Sequence, residues 1–410
     1  MTSGSRIIIV NDSSTARGGA TGLALLAARL LAERGREVVL LCGDSGDDPA
    51  LADLGVTVLA IGGERLLTAS RPQALVGGLW NRRAAAFITD WIARNGRPDD
   101  VWHLHSWAQI WSPSIFRALR PVIDRLVVHG HDYFPACPGG GFWNYPASSA
   151  CELVPMSRSC VVTNCDKRSR SHKVWRVARH RLLGEVFTGP RMPLVLLIHP
   201  GMATAFERSG LDPARLRVLR NPAQPFLAAP ASPQDNKQLL FVGRLAPEKG
   251  ALELAVAAAR IGAPVTFVGE GPMEARIRAA FPDAALVGWQ DRQGLARYAA
   301  EARALVMPTL YPEPFGMVAV EALASGLPVA ASATALLAPE IARAGAGWQF
   351  DAFAPGALSE TLAAIVDVSS TELAAKSRLA LAVAPGLAST PTTWIDGLEE
   401  VYASLVAEGA

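Results

Sequence analysis

The chain lacks a marked excess of either charge, because 39 basic residues stand against 37 acidic ones in 410 positions. Nucleic-acid-binding proteins usually carry a strong basic excess, so this balance argues against that class of partner. The sequence also lacks any run of about 18 uninterrupted apolar residues, the length that a membrane-spanning helix requires. An apolar segment of signal-peptide length is likewise missing after Met1. We therefore expect a cytoplasmic protein, and a peripheral contact with the inner face of the membrane stays open.

Two further patterns are missing. No internal repeat recurs with a period of roughly 20–50 residues, which argues against solenoids and propellers. The glycine-rich segment Gly18–Gly22 lacks the full Gly-x-Gly-x-x-Gly pattern, so the sequence does not support a dinucleotide-dependent oxidoreductase.

Half of the residues are hydrophobic and 19% are charged, a composition typical of a well-packed globular protein. Single cores seldom grow beyond roughly 250–300 residues, so this length indicates two domains. Short apolar runs alternate with helical patterns in both halves, which predicts an α/β fold with parallel sheets. We place the first domain at 1–220, a Pro- and Ala-rich linker at 221–236, the second domain at 237–389 and a closing helix at 390–410.

The same patterns predict individual elements. The strands expected in the first domain are Ile7–Val10, Val38–Cys42, Val56–Ile61, Val101–Leu104, Leu126–His129 and Leu194–Ile198. Those expected in the second are Leu239–Val242, Val265–Val268, Ala284–Val287, Ala304–Met307 and Val329–Ala331. The helices expected in the first domain include Gly22–Arg34, Gln73–Arg94 and Ala108–Leu119.

The segment that follows Ala304–Met307 carries two carboxylates, Glu313 and Glu321, eight positions apart. The buried strand should end at the sheet edge where open α/β sheets bind ligands, which places Glu313 in that crevice. A helix is expected from about Gly316, with Glu321 inside it, where a charge needs a polar partner. Free N–H groups around Phe315 at the start of this helix suit a sugar hydroxyl or a phosphate oxygen.

This segment resembles the Glu-x7-Glu signature of glycosyltransferase family 4, whose members are retaining transferases of the GT-B type. Three other segments resemble the family in the expected order: Phe241–Gly250 as the donor-phosphate segment, Val268–Pro272 as the turn after the next strand, and Asn221–Pro222 as the interdomain connection. One segment departs from the family pattern, because Ala335–Ala338 stands where members often carry a Gly-Gly pair.

The resemblance implies two Rossmann-like domains facing each other across a cleft, with the closing helix returning to the N-terminal domain. It also implies a nucleotide-diphosphate-sugar donor bound by the second domain and an acceptor bound by the first. The catalytic residues that it indicates are His131, Glu313, Arg244 and Lys249. The residues expected to bind the donor are Gly18, Gly19, Gly243, Arg244, Lys249, Gly269, Trp289, Glu313, Phe315, Gly316, Met317, Val318 and Glu321.

Arg244 and Lys249 follow a predicted strand, so their fixed cations could meet the charge of a departing diphosphate without a metal. No Asp-x-Asp pair follows a strand at a metal-binding position, which agrees with metal-independent transfer. We therefore expect a retaining hexosyltransferase for a cell-surface polysaccharide, a glycolipid or a glycoside, with no cofactor required. The acceptor, whether lipid-linked glycan, saccharide or small molecule, is not identified. A GT-B sugar-nucleotide epimerase and a non-catalytic sugar-nucleotide-binding protein are the alternatives.

A basic cluster lies between Lys167 and Arg181, and the sequence allows either a solvated helix face or a surface for an anionic membrane or a lipid-diphosphate acceptor. Four of the five cysteines fall just upstream in an insert near residues 135–170: Cys137, Cys151, Cys160 and Cys165. A structural Zn²⁺, paired disulfides, an iron–sulfur cluster and free thiols all remain open for them, although thiolates in a reducing cytosol more often bind zinc. Cys42 is expected to be a small buried hydrophobe.

Overall fold

The computed structural model describes residues 5–15 and 18–408. The chain divides into two compact units. The first unit comprises the described residues of Met1–Ala147, Cys151–Leu219 and Thr392–Ala410, and the second comprises Ser148–Ala150 and Arg220–Pro391. None of the described helices has the length and the apolar character needed to span a membrane.

The first unit is built on a parallel sheet. The strands before residue 220 are β1 (Ile7–Asn11), β2 (Val38–Cys42), β3 (Thr57–Ala60), β4 (Val101–Leu104), β5 (Leu126–Gly130), β6 (Trp143–Asn144), β7 (Ser149–Ala150), β8 (Leu194–Leu197) and β9 (Leu216–Val218). The large sheet has the order β3-β2-β1-β4-β5-β8-β9, and β6 and β7 form a separate small sheet. Ile9 of β1 lies between Leu40 and His103 of its two neighbours. The continuous Val, Ile and Leu runs of these strands suit a sheet that is covered on both faces.

The helices before residue 220 are α1 (Gly19–Glu33), α2 (Pro49–Asp53), α3 (Arg71–Leu79), α4 (Arg82–Asn95), α5 (Ser114–Ala118), α6 (Arg158–Val162), α7 (Arg170–Phe187) and α8 (Ala203–Arg208). The single helix predicted at Gln73–Arg94 is wrong, because Trp80 has extended backbone and the Asn81 side chain caps α4. The helix predicted at Ala108–Leu119 is wrong over its first half. There Gln109 and Ile110 donate their backbone N–H groups to the carboxylate of Asp12.

The final helix, α16 (Pro391–Glu408), belongs to the first unit. Its apolar face buries Trp394, Leu398 and Tyr402 in the core that also contains α1 and β1. Arg34 strengthens this packing at the surface through ion pairs with Asp396 and Glu399. The chain therefore returns to its starting sheet after completing the second unit.

The second unit holds another parallel sheet. Its strands are β10 (Gln238–Val242), β11 (Val265–Val268), β12 (Ala285–Leu286), β13 (Ala302–Met307), β14 (Val329–Ser332) and β15 (Gly347–Phe350), in the order β12-β11-β10-β13-β14-β15. Its helices are α9 (Ala251–Ile261), α10 (Glu274–Ala280), α11 (Arg292–Ala300), α12 (Met317–Ala324), α13 (Ala338–Arg343), α14 (Ala357–Asp367) and α15 (Ser370–Leu387). The sequence patterns missed β9 and β15, which are short and contain few consecutive apolar residues.

The segment 221–236 belongs to the second unit and packs against the end of α12. Phe226 is buried and donates its backbone N–H to Ser325 Oγ, and Ala231 donates its N–H to the Ser325 carbonyl. The Pro-rich composition of this segment indicated a linker without regular structure. The segment is nevertheless held in place by contacts across the end of α12.

Candidate functional site

The loops that follow β10, β11 and β13 leave the second sheet at one edge, because these three strands are parallel neighbours. These loops contain most of the residues expected to bind the donor. In open parallel sheets this edge is where ligands bind.

Lys249 and Glu313 lie in direct contact at this edge. The Lys249 ammonium donates a short hydrogen bond to Glu313 Oε2 and lies 3.1 Å from the Tyr311 hydroxyl. The Tyr311 hydroxyl donates to the same Glu313 oxygen at 2.8 Å. Burial raises the pKa of Tyr311, and the Glu313 carboxylate raises it further, so the phenol stays protonated and can donate. Tyr311 was not predicted from the sequence, although it lies two positions before Glu313.

Arg244 is 69% exposed and pairs with Glu248 at 3.4 Å. Its guanidinium therefore faces solvent beside the Lys249–Glu313 pair, and its charge acts on Tyr311. An exposed planar guanidinium can form two hydrogen bonds with phosphate oxygens. A short 3-10 turn, Pro247–Lys249, precedes α9.

Two glycines allow these loops to touch. Gly250 has a φ of 71°, and a Cβ at this position would lie 1.9 Å from the carbonyl oxygen of Pro308. Gly269 has a φ of 137°, and a Cβ there would lie 2.0 Å from the carbonyl oxygen of Gly243. Only glycine fits positions where backbone meets backbone this closely. The backbones of the loops after β10, β11 and β13 are therefore in direct contact.

Glu321 lies within α12, one turn and a half beyond Gly316, which begins the helix with a φ of 76°. Burial raises the pKa of Glu321 to about 7, and the charge of Arg292 acts in the opposite direction. The contacts among the described residues do not join Glu321 to the Lys249–Glu313 pair. Four charged residues were expected to bind the donor: Arg244, Lys249, Glu313 and Glu321. The structure thus brings Lys249 and Glu313 into contact and leaves Glu321 in a separate, less polar position.

The remaining expected donor residues differ in exposure. The Phe315 side chain is buried, so this residue can offer a ligand only its backbone, and Met317 and Val318 are half-buried. Trp289 is 71% exposed, and its backbone N–H donates to Glu270 Oε1 at 3.4 Å. The Trp289 indole therefore lies on the surface, where it is available for stacking.

The loop after β14 supports Glu313 from behind. Leu336 donates its backbone N–H to the Glu313 carbonyl oxygen at 3.1 Å, and Thr334 Oγ1 donates to the Thr309 carbonyl at 2.7 Å. The segment Ala335–Ala338, which lacks the glycine pair of the resembled family, therefore still provides a backbone contact to the Glu313 loop.

Gly18 and Gly19, at the start of α1, are exposed, and a Cβ at either position would meet no atom within 4 Å. Space is therefore available beside the backbone. Their expected contact with the donor stays a prediction.

Four histidines stack at the carboxyl ends of β4 and β5 in the first unit. His131 Nε2 lies 3.0 Å from His105 Nδ1, and His103 Nε2 lies 3.1 Å from His129 Nδ1. His103 Nδ1 also bonds the Tyr402 hydroxyl of α16 at 2.7 Å. Burial, followed by the neighbouring histidines, holds the pKa of His103, His105 and His131 well below the usual range. These rings are therefore neutral at pH 7.

His103, His105 and His129 are also the described residues whose ligand atoms lie close enough, within 4.8 Å of one another, to hold a metal ion. Both ring nitrogens of His103 already take part in hydrogen bonds. Hydrogen bonds within the core join His103 to His129 and His105 to His131.

A buried ion cluster lies beside His131. The Arg179 guanidinium stacks over Trp107 and Trp175, with its centre 5.3 and 5.4 Å from the rings, and burial lowers its pKa to about 10. Burial raises the pKa of Asp132 to about 6, and the charge of Arg179 opposes this shift. Asp12 is buried nearby and accepts backbone N–H groups from the loop after β4. The role of Asp12 in this cluster was not predicted from the sequence.

Arg179 also lines a cavity of about 730 Å³ in the first unit. The lining is basic and apolar: Leu66, Leu67, Ala69, Arg71, Ala74, Leu75, Gln109, Phe134, Arg168, Ser171, His172, Trp175, Arg176 and Arg179. No carboxylate is among these residues. One face of α7 thus turns into the cavity, so the interpretation of the basic cluster as only a solvated helix face is wrong for Arg176 and Arg179.

The four cysteines of the insert come together. Cys137, Cys151, Cys160 and Cys165 line a small cavity, and each is a free thiol in the structure. Cys42 is buried in β2, apart from this group, as expected.

Comparison with known proteins identifies the second unit. Residues 224–378 match the family model described as "Glycosyl transferases group 1". A glycogen synthase of Mycobacterium tuberculosis is 30% identical over 223 residues, which cover 50% of this chain and 51% of that protein. A GDP-mannose-dependent alpha-mannosyltransferase of Mycobacterium tuberculosis is 40% identical over 247 residues, which cover 58% of this chain and 57% of that protein. The matched stretches therefore span little more than half the length of these curated relatives.

The fold is similar over the whole chain. The structure of a sucrose-phosphate synthase from Thermosynechococcus elongatus superposes with a TM-score of 0.72 at 18% identity, over 98% of this chain and 100% of that one. The chain therefore has the GT-B fold, with two Rossmann-like parallel-sheet units, and its residues 224–378 match the glycosyl transferases group 1 model.

Proposed function

We propose that this protein is a retaining glycosyltransferase that moves a sugar from a nucleotide-diphosphate sugar to an acceptor hydroxyl. The observation that carries the proposal is the cationic edge of the second sheet, where Lys249, held by Glu313 and Tyr311, lies beside the exposed Arg244. The group 1 domain match over these residues and the names of the relatives support the same activity.

In the proposed reaction the bond between the anomeric carbon and the diphosphate oxygen breaks, and the electron pair leaves with the diphosphate. Lys249 and Arg244 offset the developing charge, so the reaction requires no catalytic metal. The acceptor hydroxyl attacks the same face of the oxocarbenium-like sugar and passes its proton to the departing phosphate oxygen. Glu313 binds a sugar hydroxyl, Glu321 the ribose, and Trp289 the base. His131, neutral at pH 7, hydrogen-bonds the donor sugar.

Nucleotide binding tests the donor site. A ligand that binds only the folded protein at 100 times its Kd stabilises it by about 2.7 kcal/mol, so thermal shifts with GDP, UDP, ADP and dTDP should reveal one preferred nucleotide. GDP comes first because one relative is named as GDP-mannose-dependent. Lys249→Ala and Glu321→Ala should each abolish the shift. Lys237→Ala, an exposed lysine next to β10, is the matched control and should keep it.

The stereochemistry and the role of His131 need separate measurements. The anomeric configuration of the product, read by NMR coupling constants, should equal that of the donor, and an inverted product would overturn the mechanism. His131→Ala should abolish transfer and leave the nucleotide shift intact, because His131 belongs to the first unit. Interconversion of the donor sugar in the absence of acceptor would indicate an epimerase instead.

The cavity of the first unit supports a proposal for the acceptor. Arg168 and Arg71 line it with guanidinium groups that no described residue pairs with, while Leu67, Leu75 and Trp175 provide apolar walls. Guanidinium groups next to apolar surface suit an acceptor with a phosphate or carboxylate attached to an apolar portion. We propose that the protein works on such an acceptor at the cytoplasmic face of the membrane.

Calorimetric titration with decyl phosphate below its micellar concentration tests this acceptor class. Decyl phosphate should bind more tightly than decanol or inorganic phosphate, and Arg71→Gln with Arg168→Gln should weaken it about tenfold, equivalent to about 1.4 kcal/mol. Arg170→Gln, at an exposed position that begins α7 and lies outside the cavity lining, should leave the affinity unchanged. Equal affinity for decanol would remove the anionic requirement.

A further inference from the structure

The insert that follows His131 encloses a sulfur-lined cavity. The sulfur-bearing residues Cys137, Cys151, Cys160 and Cys165 meet around a space of about 10 Å³, which has room for one water-sized guest. The chain between Cys137 and Cys165 has little regular structure, with the two-residue strands β6 and β7 and the five-residue helix α6. A long irregular segment inside a compact domain needs another source of order.

Backbone N–H groups surround the sulfur of Cys137. The N–H groups of Gly139, Gly140, Gly141 and Phe142 all act on the Cys137 sulfur. A turn that directs several donors at one cysteine sulfur stabilises the charged form of that sulfur.

Lys173 on α7 supplies a second, independent observation. Its side chain is only 2% exposed, and its Nζ lies 3.2 Å from Cys165 Sγ and 3.7 Å from Cys160 Sγ. A buried ammonium requires a compensating anion.

The neighbouring carboxylate is already used, because Asp166 forms an ion pair with Arg176. The counter-charge of Lys173 must therefore come from the sulfurs. Disulfides carry no charge, so pairing the cysteines would leave the ammonium buried without an anion. An iron–sulfur cluster, which contains several iron and sulfur atoms, would need far more room than the cavity offers.

We infer that Cys137, Cys151, Cys160 and Cys165 bind a single Zn²⁺ as thiolates, with Lys173 beside the site as its counter-cation. Four thiolates around Zn²⁺ carry a net charge of −2, which Lys173 and the N–H groups near Cys137 partly offset. Binding releases the protons of those cysteines that are still thiols. Among the described residues, the group of three or more ligand atoms close enough to hold a metal ion without rearrangement consists of His103, His105 and His129. An ion would therefore draw the four sulfurs closer together than the structure has them.

The proposed zinc site has a structural role, separate from sugar transfer. It would order the insert that follows His131 and would not contact the donor. Zn²⁺ binding contributes directly to folding where an irregular segment supplies the ligands. We therefore expect the metal to determine whether this acceptor-side segment is ordered.

Metal analysis of the full chain, purified without chelators, tests the inference. Elemental mass spectrometry should find about one zinc per chain. After exchange of the metal for Co²⁺, the protein should show intense visible absorption bands and a near-ultraviolet sulfur-to-cobalt band, which together report tetrahedral thiolate ligation. Thiol titration of the native protein should show four thiols that react only after a chelator is added.

Substitutions distinguish the four proposed zinc ligands from Cys42. Cys137→Ser and Cys160→Ser should each lose the zinc and the cobalt bands, while Cys42→Ser, at a buried cysteine outside the cavity, should retain both. Lys173→Met should weaken metal retention against a competing chelator, and Lys173→Arg should restore part of it. A metal-free wild-type protein with four reactive thiols, or a mass lower by two hydrogens per bridge, would overturn the inference.

Discussion

Glu313 and Glu321 lie eight positions apart in the sequence, but their carboxylates have different environments in the folded protein. Glu313 accepts hydrogen bonds from Lys249 and Tyr311, so its charge is compensated. Glu321 is largely buried, and its pKa of about 7 reflects desolvation that the charge of Arg292 only partly relieves. A carboxylate that is desolvated in this way is typical of a ligand-binding position. Hydroxyl groups of the ligand would donate the hydrogen bonds that the carboxylate lacks in the free protein.

Glu321→Gln should stabilise the ligand-free protein at pH 8 and change little at pH 4. The unfolded chain releases the Glu321 proton near pH 4.5, whereas the folded chain holds it to about pH 7. Stability is therefore lost as pH rises through this window, by about 3 kcal/mol at most. Glutamine stays neutral and avoids that loss. Urea unfolding between pH 4 and pH 8 measures the difference.

Glu301→Gln provides the control, since Glu301 is 61% exposed in the same unit. Its difference from the wild type should stay nearly constant over the same pH range. If Glu321→Gln behaved in the same way, Glu321 would titrate normally, and its proposed buried role at the donor site would be wrong.

At the scale of elements, the sequence predicted those parts that depend on local pattern. The buried strand Ala302–Met307 and the donor segment after it were recognisable because an apolar run, a proline and two carboxylates follow one another. The contacts of Asp12 and Tyr311 were not, because their partners lie in other loops or emerge only when the loops meet. Asp12 even overrode the helical pattern after Ala108 by taking three backbone N–H groups.

Gly250→Ala should disrupt the contact between the loops after β10 and β13. A left-handed backbone costs a non-glycine residue about 1–2 kcal/mol, and here the added Cβ would also meet the Pro308 carbonyl oxygen at 1.9 Å. We expect a total loss of about 3 kcal/mol or more and a lost nucleotide shift, because Lys249 adjoins the displaced glycine. Denaturant unfolding and the thermal shift measure both effects.

Gly262→Ala is the matched control for this change. Gly262 has a φ of 67°, similar to the 71° of Gly250, but a Cβ there would meet nothing within 4 Å. Gly262→Ala should lower the free energy of unfolding only by the backbone contribution of about 1–2 kcal/mol, and the variant should still bind the nucleotide. Equal losses for the two variants would show that close approach of the loops contributes nothing.

For the whole molecule, the decisive feature is that the first unit is assembled from both ends of the chain. Helix α16 buries Trp394 and Leu398 in the same core as β1, although nearly 400 positions separate them in the sequence. The helical pattern at the end of the chain was visible in the sequence. Its docking surface could be suggested only by the resemblance, because periodicity shows that a face is apolar but does not identify what covers it.

Leu398→Ala should therefore destabilise the first unit and leave the second almost unchanged. Leu398 is fully buried, and truncation of such a leucine costs about 2–5 kcal/mol. Hydrogen exchange followed by mass spectrometry should show lost protection in peptides from β1 and β4, while those from β10 and β13 stay protected. Leu362→Ala, at an equally buried leucine of the second core, should give the reverse pattern. Loss of protection confined to α16 in the Leu398 variant would mean that the first sheet is stable without this helix, and the returning helix would then be an accessory to that core.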